Sequence, residues 1–168
     1  DGIRIALSAA VGNRILGNSI YGNNGLGINL MSLTATENFY GVTANDYGAP
    51  PDADTGANTP NNLQNYPDLT SVTVGGGNTT INGSLSSAVN GFFHIEFFAS
   101  PGADASGYGE GRTLIGTLNA QANGAGLLNF SHVIAGYTLP TGWVVTATAT
   151  RLGLTVTPPS ADGLGTRT

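Results

Sequence analysis

Asn13, Asn18 and Asn23 stand five residues apart, and Ile15 and Ile20 repeat the same step between them. A longer rhythm encloses this one: Gly2-Ile3-Arg4-Ile5-Ala6-Leu7 returns 25 residues on as Gly27-Ile28-Asn29-Leu30-Met31. A helix does not sustain such a pattern, because glycine and asparagine fall too often in what would be its interior. Strands of two or three residues joined by Asn/Gly turns do sustain it. A coil of about 20–30 residues that buries its apolar side chains against the next coil is a solenoid. Residues 1–31 read as the terminal coils of one.

From Thr70 the period becomes two. Ser71–Val74 and Thr79–Leu85 read as strands around the turn Gly75-Gly76-Gly77-Asn78. Phe92–Ser100 alternates, with Phe93, Ile95 and Phe97 on one face. Further strands are expected over 112–120, 126–134 and 143–150, separated by turns at Asn123-Gly124 and Pro140-Thr141-Gly142. Short alternating strands bounded by turn residues predict an immunoglobulin-like antiparallel β-sandwich over residues 70–157.

Neither period runs through Ala44–Leu69. This stretch holds four of the chain's eight prolines (Pro50, Pro51, Pro60, Pro67) together with Asp46, Asp52, Asp54 and Asp68. Residues 32–69 are therefore read as a cap and connector. Phe39 and Tyr40 are the expected cap. Leu63, Tyr66 and Leu69 are expected to pin the connector to the sandwich, with Tyr66 extended because Pro67 follows it. Asp52, Asp54 and Asn58 place oxygen ligands in the pattern Asp-x-Asp-x-Gly-x-Asn, which suits a hard cation such as calcium. The closing Glu of an EF-hand is missing. The competing reading is a solvated turn cluster in which Asp and Asn bond their own backbone.

The run Asn13-Arg14-Ile15-Leu16-Gly17-Asn18-Ser19-Ile20-Tyr21-Gly22, with Gly25-Leu26-Gly27-Ile28-Asn29-Leu30 after it, resembles the last coils of right-handed parallel β-helix repeat proteins of the CSLREA type. These are large secreted or surface bacterial proteins. The resemblance extends through Leu63-Gln64-Asn65-Tyr66-Pro67 and through Ile95-Glu96-Phe97-Phe98-Ala99-Ser100-Pro101 to Thr150. It implies an all-β chain: the end of a right-handed parallel β-helix followed by an immunoglobulin-like antiparallel β-sandwich, secreted or held at a cell surface. After Thr150 the similarity stops. Leu152–Thr157 is expected as an edge strand at most, and 158–168 as an irregular tail. The opening Asp1-Gly2-Ile3 suggests a processed or excised piece of a longer chain.

Composition narrows the function. Charged residues make up 9% of the chain, lysine is absent, and the net charge is −5 with a pI near 4.6. The five arginines form no basic patch, which argues against nucleic acid. No apolar run of about 18 residues occurs, which argues against membrane insertion by a helix. The chain has no cysteine, so neither disulfides nor thiolate metal sites contribute.

Candidates for chemistry are few. Gly-x-Ser-x-Gly is absent, two histidines cannot make a three-histidine zinc site, and Gly75-Gly76-Gly77 lacks the lysine of a phosphate loop. Ser131 and His132 are neighbours on opposite faces of one strand. His94 and Glu96 share a strand face expected to point to solvent; with Glu110 they form the weak acid/base alternative of a small hydrolase acting on polysaccharide or ester substrates. Asp104 and Glu110 flank the loop Gly107-Tyr108-Gly109 and, with Tyr108 as a stacking platform for a glycan, are the expected binding residues. Thr146, Thr148 and Thr150 offer a row for an ordered surface. The leading expectation is a non-catalytic module for display, adhesion or glycan contact. Self-association is expected through the solenoid edge at Ile3 and Ile5, because one coil cannot cover its own apolar stack.

Overall fold

The computed structural model describes residues 1–6, 10–31, 42–54, 59–105 and 107–153. Among them the chain is all-β, with eight strands, one 3-10 turn at Pro60–Leu63 and no α-helix. Phe39, Tyr40, Asn58 and the tail from 154 lie outside the described residues.

β1 (Ile3–Ala6) and β2 (Ile28–Met31) pair in parallel, with Ile3 opposite Ile28 and Ala6 opposite Met31. The 25-residue repeat is thus a register in space. A parallel pair needs a long crossover, and the intervening residues provide it. Gly12, Gly17 and Gly22 in that crossover all have positive φ, at 79°, 66° and 72°. The five-residue rhythm is therefore a rhythm of left-handed corners, which only glycine takes without strain.

Six longer strands follow: β3 (Asp68–Gly75), β4 (Asn78–Ser86), β5 (Phe92–Ser100), β6 (Thr113–Gln121), β7 (Leu127–Ile134) and β8 (Val144–Leu152). They form two antiparallel three-stranded sheets, ordered β3-β4-β7 and β6-β5-β8. The inner faces meet in one core. Ile81 and Leu85 from β4 and Phe93, Ile95 and Phe97 from β5 are fully buried there, beside Leu128 and Ile134 from β7. The Phe97 ring meets Phe130 edge-on at 5.7 Å and stacks on His132 at 5.4 Å.

The observed strands differ most from the expected ones at two ends. β3 begins at Asp68, inside the stretch read as connector, because Asp68 and Leu69 already pair with Ser84 and Gly83. A bulge between Leu69 and Ser71 lets the strand bend there. β8 continues through Arg151 to Leu152, opposite Phe93 and Phe92 of β5.

The first segment lies on the outer face of the β6-β5-β8 sheet. Ile20 N–H donates to the Gly111 carbonyl at 2.8 Å, and Ser19 Oγ donates to the Arg112 carbonyl at 2.5 Å. This cover changes the character of β5. Its outward-facing residues Glu96 and Phe98 are buried, at 3% and 5% exposure, so the face that alternation assigns to solvent is an interior face here. Ile3, Ile5, Ile15 and Ile20 are half-buried.

Candidate functional site

The connector is tied down by side chains that bond backbone. Asn65, 2% exposed, accepts from Asp46 N–H at 3.1 Å and donates through Nδ2 to the Asp46 carbonyl at 2.9 Å and the Ser86 carbonyl at 2.8 Å. Asn45 accepts from Tyr66 N–H and donates to the Tyr66 carbonyl, both at 2.9 Å. These bonds fold 42–54 back along 64–68 and set Asp46 beside the turn that carries Asp52 and Asp54. The 3-10 turn also reaches the first segment: Asn61 N–H donates to the Ala10 carbonyl at 2.8 Å, and Asn61 Oδ1 accepts from Asn13 N–H at 2.9 Å.

Asp46, Asp52 and Asp54 bring three carboxylate oxygens within 4.8 Å of one another, an arrangement that could hold a metal ion. Asp52 accepts from Asn65 N–H at 3.1 Å and from Ser87 Oγ. Burial pushes the Asp52 carboxyl above its ordinary range, and the neighbouring Asp46 and Asp54 charges push the same way. Asp46 Oδ2 accepts from Ala53 N–H at 3.2 Å, while its Oδ1 is buried without a hydrogen-bond partner among the described residues. A buried, unpartnered carboxylate oxygen beside two further carboxylates fits a hard, oxygen-seeking cation. Of the expected ligands, Asp52 and Asp54 are brought together, and Asn58 falls outside the described residues. Asp46 was missed because it lies outside the alternate spacing of the Asp52 turn. The folding-back by Asn65 is what adds it.

Glu96 and Glu110 are engaged with backbone. Glu96 Oε1 accepts from Gly17 N–H at 2.8 Å. Glu110 accepts from Gly22 N–H at 2.5 Å, Asn23 N–H at 3.0 Å and Asn23 Nδ2 at 2.8 Å. The two carboxylates thus grip successive corners of the five-residue rhythm. Glu96 does not face solvent as its strand position suggests, because the first segment covers it. His94 Nε2 lies 3.8 Å from Glu96 Oε1, an ion-pair distance, and His94 Nδ1 lies 2.7 Å from Asn119 Oδ1. Glu96 chiefly, with Asn119, holds the imidazole above its ordinary value against the opposing effect of burial. His132 is shifted the other way, downward, by burial.

A groove of about 1020 Å³ runs between the first segment, the connector and β8. Tyr108 and Glu110 line it, and Asp104 lines a separate small pocket together with Glu110. Tyr108 is exposed and meets Tyr66 edge-on at 5.9 Å. Burial, then Tyr108, pushes the Tyr66 phenol up to about 12. Thr146, Thr148 and Thr150 also line the groove and are half-buried; Thr146 Oγ1 donates to the Glu110 carbonyl at 3.0 Å. They form no open row, because the first segment and the 107–111 loop lie against this side of the sheet. No protein-family model matches the chain, and no curated protein matches it significantly in sequence.

Proposed function

We infer that this chain is a non-catalytic binding module of an exported, surface-displayed protein. In this reading the end of a right-handed parallel β-helix is seated on an immunoglobulin-like sandwich, and calcium at Asp46, Asp52 and Asp54 holds the connector between them. The observation that carries the reading is the buried, unpartnered Oδ1 of Asp46 within the three-carboxylate cluster. The parallel pairing of two sequence copies 25 residues apart supports the solenoid part. The engagement of Glu96 and Glu110 by backbone N–H groups gives both acids a holding role.

Thermal unfolding with EDTA and with millimolar calcium tests this. A cation at a hundred times its Kd stabilises by about 2.7 kcal/mol, which raises Tm by several degrees. Asp46→Asn should abolish most of that rise, and Asp104→Asn should leave it intact. An unchanged Tm across the calcium range would sink the reading.

A further inference from the structure

The edge of β8 with which no described residue pairs is the feature this reading leaves unused. Among the described residues β8 pairs only with β5, through nine consecutive residue pairs from Val144↔Ser100 to Leu152↔Phe92 without a register break. Nine residues of strand span about 30 Å. The groove is lined by the whole of this strand and by Gly153 after it. Native sheets usually protect such an edge with proline, lysine or a bulge. β8 has none of these: Val144-Val145-Thr146-Ala147-Thr148-Ala149-Thr150-Arg151-Leu152 is regular and carries a single charge. Of the three other edge strands of the two three-stranded sheets, β3 and β6 each have an irregularity in their pairing, and β7, which pairs regularly with β4, does not line the groove.

We propose that β8 is a docking edge on which an extended peptide from a partner protein adds as an antiparallel strand, with a carboxylate near its N-terminal end facing Arg151. This deepens the binding-module reading and rests on it. The backbone of β8 offers alternating donors and acceptors at strand spacing, which an extended peptide matches along its full length. Antiparallel addition continues the pattern of both neighbouring pairings in the sheet. The charge at the edge is Arg151, which is exposed and makes no ion pair among the described residues. An opposite charge directly across a strand pair is favourable, which places the carboxylate of the partner. In an antiparallel strand that position falls near the N-terminus. The nearby carboxylates Glu96 and Glu110 are held by the first segment and do not belong to the edge. A second copy of the chain is a poorer occupant. Its β8 arrives with β5 and the rest of its sheet attached, whereas the groove is walled by the 3-10 turn and the first segment.

The probe is a fluorescein-labelled nine-residue peptide of alternating valine and threonine with glutamate as its second residue, followed by anisotropy. Saturable binding is expected below about 100 μM, the range of a weak, specific peptide contact. N-methylation of the alternate amides that face β8 should weaken it about tenfold or more, since each lost bond leaves a strand carbonyl unpaired. Arg151→Glu should weaken it several-fold, and a peptide with lysine in place of glutamate should recover binding to that variant. Absence of saturable binding up to about 1 mM, or equal binding of the N-methylated peptide, overturns the proposal. So does displacement of the peptide by polygalacturonate, which makes the groove a glycan site, or a concentration-dependent dimer in sedimentation that excludes the peptide, which makes a second copy the occupant. Tm with and without calcium is read on the same sample. Failed peptide binding with an intact calcium response removes the partner and leaves the module reading standing.

Discussion

Asn45 and Asn65 each hold the backbone of the residue that follows the other. The Asn45 amide bonds the N–H and carbonyl of Tyr66, and the Asn65 amide bonds the N–H and carbonyl of Asp46. Each side chain stands in for a neighbouring strand, so two irregular stretches pair without a ladder. Asn65 commits all its side-chain hydrogen-bonding groups to backbone, the third bond going to Ser86 at the end of β4. Truncating it strands buried backbone groups at about 1–3 kcal/mol each. Asn65→Ala should therefore lower stability by about 2–4 kcal/mol in urea unfolding, and Asn45→Ala by about 1–2 kcal/mol. Equal, small losses would show that the connector does not depend on this pairing.

Glu110 fastens the first segment to the sheet beneath it. Its carboxylate receives three N–H groups from Gly22 and Asn23, and hydrogen bonds to a charged acceptor are the stronger kind. Glu110→Ala should cost about 1–2 kcal/mol, less than a buried site would, because the contact is partly open to water. The informative readout is hydrogen exchange. Amides of Gly22 and Asn23 should lose protection, while those of Phe93, Ile95 and Phe97 keep theirs. Uniform loss across both sets would mean that the segment and the sheets unfold as one unit.

Burial of the Asp52 carboxyl should make the protein sensitive to pH in an unusual direction. Burial, helped by Asp46 and Asp54, raises its carboxyl above 3.8 in the folded state. The folded chain then holds a proton that the unfolded chain has lost. This contribution to stability is complete below 3.8 and disappears as pH climbs through the raised value. In EDTA, the urea midpoint attributable to this group should fall from pH 4 upward, and Asp52→Asn should flatten that fall. A calcium ion held at the proposed site should reverse the trend, since a cation favours the ionised carboxylate. A fall of the same size in Asp52→Asn would place the titration elsewhere.

The β architecture is legible in the sequence because its two periods are physical. Phe93, Ile95 and Phe97 share a face, and that face is the core. The return of Gly2-Ile3 at Gly27-Ile28 is a strand register, and the five-residue step is a spacing of glycine corners. Alternation says which residues share a face but not what covers the other one. Glu96 was therefore misplaced: its partner, Gly17, is 79 residues away, and no local signal marks that contact. Asp46 was missed for the same reason, since a long-range asparagine bond brings it to Asp52. Local spacing finds a turn, whereas a site assembled across turns depends on which side chains bond distant backbone.

The two histidines should titrate on opposite sides of 6.5. His94 faces Glu96 at 3.8 Å and bonds Asn119, and the negative neighbour favours the imidazolium. His132 stacks on Phe97 with its ring only 16° from parallel, and burial there favours the neutral ring. Their stability terms carry opposite signs. The His94 term is complete below 6.5 and lost as pH rises through its raised value; the His132 term is complete above 6.5 and lost as pH falls through its lowered value. The histidine contribution to stability should therefore peak near the ordinary imidazole value and decline on both sides. Two-dimensional NMR of the ring protons reads each value directly. Glu96→Gln should bring His94 down towards 6.5 and leave His132 where it is, because the two residues lie in different sheets, with His132 against Phe97 in the core and His94 on the opposite face of β5. A common shift of both rings in that variant would mean that the substitution loosens the sheets themselves and does not act through the ion pair.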